Sequence, residues 1–83
     1  MIARCETLAQ AFDQLEGGEL VGASTIVVSR RSWDALSSNE QDIYRIRADR
    51  IGIELWADDA ISSHFVEVRG GDDAPPLSTE RHV

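Results

Sequence analysis

Lysine is missing from this chain, so all eight of its cationic side chains are arginine. The absence has two readings. One is a GC-rich coding sequence; the other is a use for the planar, bidentate contacts by which arginine holds buried and interface pairs better than lysine does. Cysteine occurs once, at Cys5, which excludes an internal disulfide framework and a multi-cysteine zinc site and fits a reducing compartment. No charged-then-apolar leader opens the sequence, and no apolar run is long enough to span a bilayer. The expectation is a soluble protein of the cytoplasm, or of the host cytoplasm if the chain is phage-encoded. Also missing are G-x-G-x-x-G, a P-loop, H-E-x-x-H and any internal repeat. At 83 residues the chain makes one domain, burying only about 60–65% of the surface its unfolded form exposes. A cofactor enzyme generally needs more chain than this to enclose its pocket.

What is present falls within globular norms: 42% hydrophobic and 28% charged residues, too apolar for a disordered chain. The formal net charge is −7, and it is unevenly spread. Residues 1–29 carry one arginine against four acids, residues 30–50 five against four, and residues 51–83 two against seven. The positive charge is therefore concentrated in "SRRSWDALSSNEQDIYRIRADR", inside an acidic protein.

Periodicity places the elements. Leu8, Phe12 and Leu15 recur at i, i+4 and i+7, predicting a helix over 5–16 that Gly17 and Gly18 close with a left-handed turn. The β-branched run in "STIVVS" predicts a strand at 24–29 buried on nearly both faces. Ser37 with Glu40, or Ser38 with Gln41, forms a capping box ahead of Tyr44, Ala48 and Ile51, and Gly52 ends that second helix. In "IELWA", Ile53, Leu55 and Ala57 alternate with Glu54 and Trp56; in "HFVEVR", His64, Val66 and Val68 alternate with Phe65, Glu67 and Arg69. Strands at 53–57 and 63–69 with a short polar link predict an antiparallel hairpin. The expected fold is α+β over residues 1–69, in the order α-β-α-β-β, with two helices and a largely antiparallel three-stranded sheet. Residues 70–83, with two Gly and two Pro, read as a flexible acidic tail, disordered unless a partner holds it.

The pattern Trp33-x-x-Leu36-Ser37-x-x-Glu40-x-x-x-Tyr44-x-x-x-Ala48 resembles the second helix of HMG-box DNA-bending domains, over about a fifth of the chain. Such boxes also need a preceding helix, a long third helix and strong positive charge. Here strands flank the motif, and a net charge of −7 opposes the phosphate neutralisation on which nucleic-acid affinity rests. The arginines have acidic neighbours as well. Asp42 lies three residues before Arg45, Asp49 four after it, and Asp34 is close to Arg30 and Arg31. The helix is expected to be architecture with a solvated face, an arginine patch for a partner being the alternative.

Chemistry has few carriers. Cys5 near a helix start, His64 and His82 are the only thiol and imidazoles. Asp58, Asp59, His64 and Glu67 match no metal spacing, and a turn accounts for the adjacent aspartates. The expectation is no catalytic residue, no metal and no cofactor. Binding features are easier to find. Trp56 shares a strand face with Glu54, and tryptophan is frequent in interface hot spots. Acids run through residues 54–80 and can steer a basic surface as a row of phosphates would. The chain is thus expected to be a non-catalytic acidic protein-binding module, an inhibitor that occludes a basic nucleic-acid-binding surface of a larger partner. The expected contact set is Glu54, Trp56, Asp58, Asp59 and Glu67, with Arg30, Arg31 and Arg45. In size, acidity and lack of motifs it is similar in type to small phage anti-defence proteins such as anti-CRISPRs. Alternatives are an antitoxin-like or accessory subunit whose tail folds on a cognate protein, and a weak nucleic-acid binder using Arg30, Arg31, Arg45, Arg47 and Arg50. Thin-cored domains also find missing burial in a second copy, here through the hairpin edge or the arginine-rich helix.

Overall fold

A computed structural model describes residues 2–59 and 65–70, together with the backbone of 80–82. The first element is a strand that the helical pattern conceals. Residues Ile2–Cys5 form β1, and the first helix, α1, spans Leu8–Glu16. Thr7 is its N-cap, its hydroxyl accepting from the Gln10 amide at 3.1 Å. Leu8, Ala11 and Phe12 turn inward as the spacing requires. Gly17 ends the helix in a right-handed conformation, and the left-handed turn falls one residue later at Gly18.

Strand β2, Ala23–Ser29, is the centre of the sheet, and from Thr25 onward every residue is buried. Ser29 is both its last residue and the N-cap of a short helix, α2, Arg30–Asp34. This short helix is additional to the predicted ones, and the predicted second helix follows it. After Leu36, Ser37 caps α3, Ser38–Ile51, with Glu40 returning the capping-box contact, and Gly52 closes it at φ 71°. Strand β3 is Glu54–Asp58, β4 is Val66–Gly70 and β5 is Glu80–His82.

The result is a small α+β fold: three helices and a mixed sheet of four strands with β5 as a short fifth, in the order β1-β4-β2-β3-β5. The predicted hairpin is wrong. β3 runs parallel to β2, while β4 lies on the other side of β2, antiparallel to both β2 and β1. The α2–α3 crossover supplies the length that a parallel β2–β3 pair needs, and a hydrophobic place beside β2 remained for Val66 and Val68. Of the predicted tail, Gly70 ends β4, residues 71–79 lie outside the described residues, and Glu80–His82 pair with β3.

All three helices contribute to one core on one face of the sheet. Cys5, Ile26, Val28, Leu55, Ala57, Val66 and Val68 meet Leu8, Ala11, Phe12, Trp33 and Ala48 there. The Phe12 and Tyr44 rings stack 5.5 Å apart, joining α1 to α3. No described helix is long and apolar enough to cross a membrane.

Candidate interaction surface

Strand side chains alternate between faces, so the residues between those core positions share the opposite face. Register sets them in rows. Ile2, Arg69, Thr25 and Glu54 form one row; Arg4, Glu67, Val27 and Trp56 form the next. Ser29 lies beside Asp58 beyond them.

This face is polar and interlocked. Glu67 is gripped from both sides, by Arg69 Nη2 at 2.6 Å and by Arg4 Nε at 3.8 Å. Arg69 and Glu67 are mostly buried, which shields their attraction from water and salt. Trp56 is half-buried, and its indole Nε1 donates to Glu54 Oε2 at 3.4 Å. Val27 is fully buried in the middle of the row, yet it lies outside the helix-side core. Ile2 and Phe65 stand exposed at the margin.

The expected contact set divides accordingly. Glu54 and Trp56 share this face and touch; Glu67 shares it but is held by two arginines. Asp58 is buried and Asp59 is exposed. Arg30 bridges Asp59 at 3.5 Å and Asp34 at 3.8 Å, tying α2 to the end of β3. Arg31 is exposed at the start of α2. Arg45 belongs elsewhere: it pairs with Asp42 at 3.1 Å and covers the Trp33 ring at 5.4 Å. His64 lies outside the described residues, and so does the side chain of His82.

One anchor was not legible in the sequence. Arg47 reaches from α3 to α1, with Nη2 3.0 Å from Glu16 Oε1 and 3.3 Å from Asp13 Oδ1, while its guanidinium lies 4.9 Å from the Phe12 ring centroid. Its hydrogen bond holds the Glu16 carboxyl below the usual range, against an opposing effect of desolvation and with help from the charges of Arg47 and Arg50. No local spacing could have shown a pairing between residues more than thirty positions apart. The Arg4–Glu67 contact was missed with β1, whose alternation of Ala3 and Cys5 inward with Ile2 and Arg4 outward was the available signal.

Cys5 is buried, and burial pushes its thiol pKa upward, the reverse of what a nucleophile needs. Among the described residues, two crevices border the helices. One, of about 310 Å³, lies between the end of α3 and β3 and includes Arg45, Asp49 and Glu54. The other, of about 220 Å³, has Leu8, Val28, Leu36, Tyr44 and Val66 as its apolar wall. Among the described residues no three His, Cys, Asp or Glu side chains gather as metal ligands would. Comparison with protein-family models, curated proteins and solved structures gives no match to this chain.

Proposed function

We propose that this protein is a non-catalytic, acidic protein-binding module that inhibits a larger partner by covering a basic, nucleic-acid-binding surface. One observation carries the reading. Arg4, Arg30, Arg45, Arg47 and Arg69 are all engaged in ion pairs within the chain. Among the described residues Arg31 and Arg50 have no such pair, and neither do Glu6, Glu19, Glu40, Asp49 and Glu54 on the acidic side. The positive charge is thus largely neutralised internally, and the field presented to solvent is negative. Such a field speeds encounter with a basic surface and repels nucleic acid. Glu54 and Trp56 add a carboxylate and a large aromatic side by side on the sheet face that carries no described helix, a pairing suited to an arginine-lined groove. By analogy of size and charge, the anti-CRISPR kind of anti-defence inhibitor is the nearest functional type.

The same pairing weakens the nucleic-acid alternative, because Arg30, Arg45 and Arg47 already have carboxylate partners. An accessory subunit whose tail folds only on its partner is less well supported, since Glu80–His82 pair with β3 in the isolated chain.

The test is capture from the native host, or from an infected one, with the wild-type chain and with a Glu54→Arg, Asp59→Arg variant of unchanged circular dichroism. The expected result is a nucleic-acid-binding protein, displaced by added DNA or RNA and released between roughly 0.1 and 0.5 M salt, where the Debye length falls from about 10 Å to about 4 Å. The variant should lose it. Capture indifferent to salt, competitor and charge reversal defeats the proposal, as does retention of bare nucleic acid.

A further inference from the structure

Between α3 and β3 the chain reverses within Gly52 and Ile53. Gly52 takes φ 71°, its amide donates to the Asp49 carbonyl at 3.3 Å, and the Ile53 amide donates to that of Ala48 at 2.9 Å. Beside this turn lies the crevice of about 310 Å³ between the helix end and the strand. Ala48, Ile53 and Leu55 give it an apolar side, with Ala48 and Leu55 buried. Asp49, from the last turn of α3, and Glu54, the first residue of β3, give it a polar side, and both are exposed. The volume stands at the bottom of the range for small-molecule pockets, about 300–1,000 Å³. It suits one long side chain.

Charge identifies that side chain. Among the described residues Asp49 has no side-chain partner, and Glu54 accepts only from the Trp56 indole at 3.4 Å. Arg45 also borders the crevice, but Asp42 meets its charge at 3.1 Å and its guanidinium covers the Trp33 ring. Arg50 follows Asp49 in sequence, and its charge acts toward α1, on Glu16. Two carboxylates thus remain uncompensated, at the helix end whose dipole is negative. A cation with an apolar stem satisfies both sides of the crevice. Arginine fits better than lysine, because its planar fork reaches carboxylates from two directions and it sheds its hydration more readily.

We infer that this crevice is a guanidinium site, taking one arginine side chain of the partner, its stem on Ile53 and Leu55 and its head between Asp49 and Glu54. The choice of a basic protein as the source of that arginine rests on the function proposed above; the affinity for a guanidinium does not. Glu54 also touches Trp56, so the anchored arginine enters beside the open face of the sheet, and arginine is a frequent hot-spot residue. One side chain held by exposed carboxylates binds weakly alone, with a Kd on the order of 1–10 mM at low salt.

The test is an NMR titration of the full 15N-labelled chain with acetyl-Gly-Arg-Gly-amide, beside matched peptides carrying lysine or citrulline, the neutral isostere of arginine. Amide shifts should group at residues 48–55. The lysine peptide should bind about threefold more weakly or worse, and the citrulline peptide at least tenfold more weakly, roughly the loss of both charged contacts. Asp49→Asn with Glu54→Gln should lose binding to the same degree while the rest of its spectrum matches wild type. Glu6→Gln with Glu19→Gln removes two other unpaired carboxylates and should bind as wild type does. Absent shifts, shifts spread over the acidic surface, lysine or citrulline binding as tightly as arginine, or equal behaviour of the two double variants overturns the inference. Binding in the crevice without capture of a nucleic-acid-binding protein from the host supports the site and defeats the proposed function. Capture without peptide binding removes the site and leaves that function standing.

Discussion

The two faces of the sheet are equally well buried at their centres and built on different principles. Toward the helices, Ile26, Val28, Leu55, Val66 and Val68 form a layer closed by Phe12, Leu8 and Trp33, with no charged side chain in it. On the other face, Thr25, Val27 and Ser29 are as deeply buried, but their neighbours in register are Arg69, Glu54, Glu67, Trp56 and Asp58. Shape holds the first face together, and directed polar contacts hold the second. An apolar layer loses little when side chains of similar volume are exchanged, whereas a polar row specifies which groups must be adjacent. The first face therefore carries stability, and the second is where the chain can present chemistry without losing its fold.

The largest expected effect falls on the helix side. Phe12 is fully buried beneath Tyr44 and the Arg47 guanidinium, so Phe12→Ala should cost about 3–5 kcal/mol. In a domain this small that is most of the available stability. Urea unfolding should show either a midpoint near zero denaturant or a chain unfolded from the start. A loss under about 1.5 kcal/mol would mean that the two helices are not joined through this ring.

A sharper experiment makes the same substitution on both faces. Val27 and Val68 are both 0% exposed, so burial alone predicts equal costs. Val68→Thr places a hydroxyl among Ile26, Ala3 and the helix-side core, where it should cost about 1–3 kcal/mol. Val27→Thr places it between Glu67 and Trp56 in register, where a carboxylate can accept from it, and the cost should stay below about 1 kcal/mol. Equal costs would erase the distinction between the faces.

Legibility in the sequence divides along similar lines. Elements whose causes are local were readable: the capping box of Ser37 and Glu40, the left-handed Gly52, the buried run at Thr25–Ser29 (residues 25–29), and the alternation that sets Trp56 beside Glu54. Those fixed by distant partners were not. β1 is four residues long and needs β4 to exist as a strand; the hairpin failed because two strands adjacent in sequence found a better neighbour in β2. Asp58 was expected with the exposed acids, but register sets it beside Ser29, and it is buried. Of the candidate surface, the shared side of Glu54 and Trp56 was legible and the network was not, because the holders of Glu67 come from β1 and from its own strand, and Arg47 crosses between helices.

Within the polar face, Glu67 is the residue on which the row depends. Glu67→Gln preserves its shape and removes its charge, so the short contact from the mostly buried Arg69 guanidinium, 2.6 Å in the wild type, becomes a weaker bond to a neutral acceptor. The expected cost is about 1 kcal/mol, nearly all through Arg69, because Arg4 is well exposed and its pairing is screened. Glu67→Gln and Arg4→Ala should therefore be nearly additive in thermal midpoint, whereas Glu67→Gln and Arg69→Ala should not. Additivity in both pairs would show that the row does not act as a network.

The smallest effect concerns the helix side, where one polar device operates among apolar ones. The hydrogen bond from Arg47 holds the Glu16 carboxyl below its ordinary value, near 4.3 in an unfolded chain. A folded-state pKa lowered in this way contributes stability that is complete above the unfolded value. That contribution fades as pH falls through the folded one. Arg47→Met keeps an unbranched apolar chain near Phe12 and removes the guanidinium with its charge, so wild type should exceed the variant in thermal midpoint at pH 7 by a modest margin. The margin should narrow between about pH 4.5 and 3, where carboxylates in this range take up protons, and Glu16 in the variant should titrate at a higher pH than in wild type when followed by NMR. A margin that persists unchanged at low pH would assign the contribution of Arg47 to its stacking on Phe12, making the joint between the helices as apolar in origin as the core beneath it.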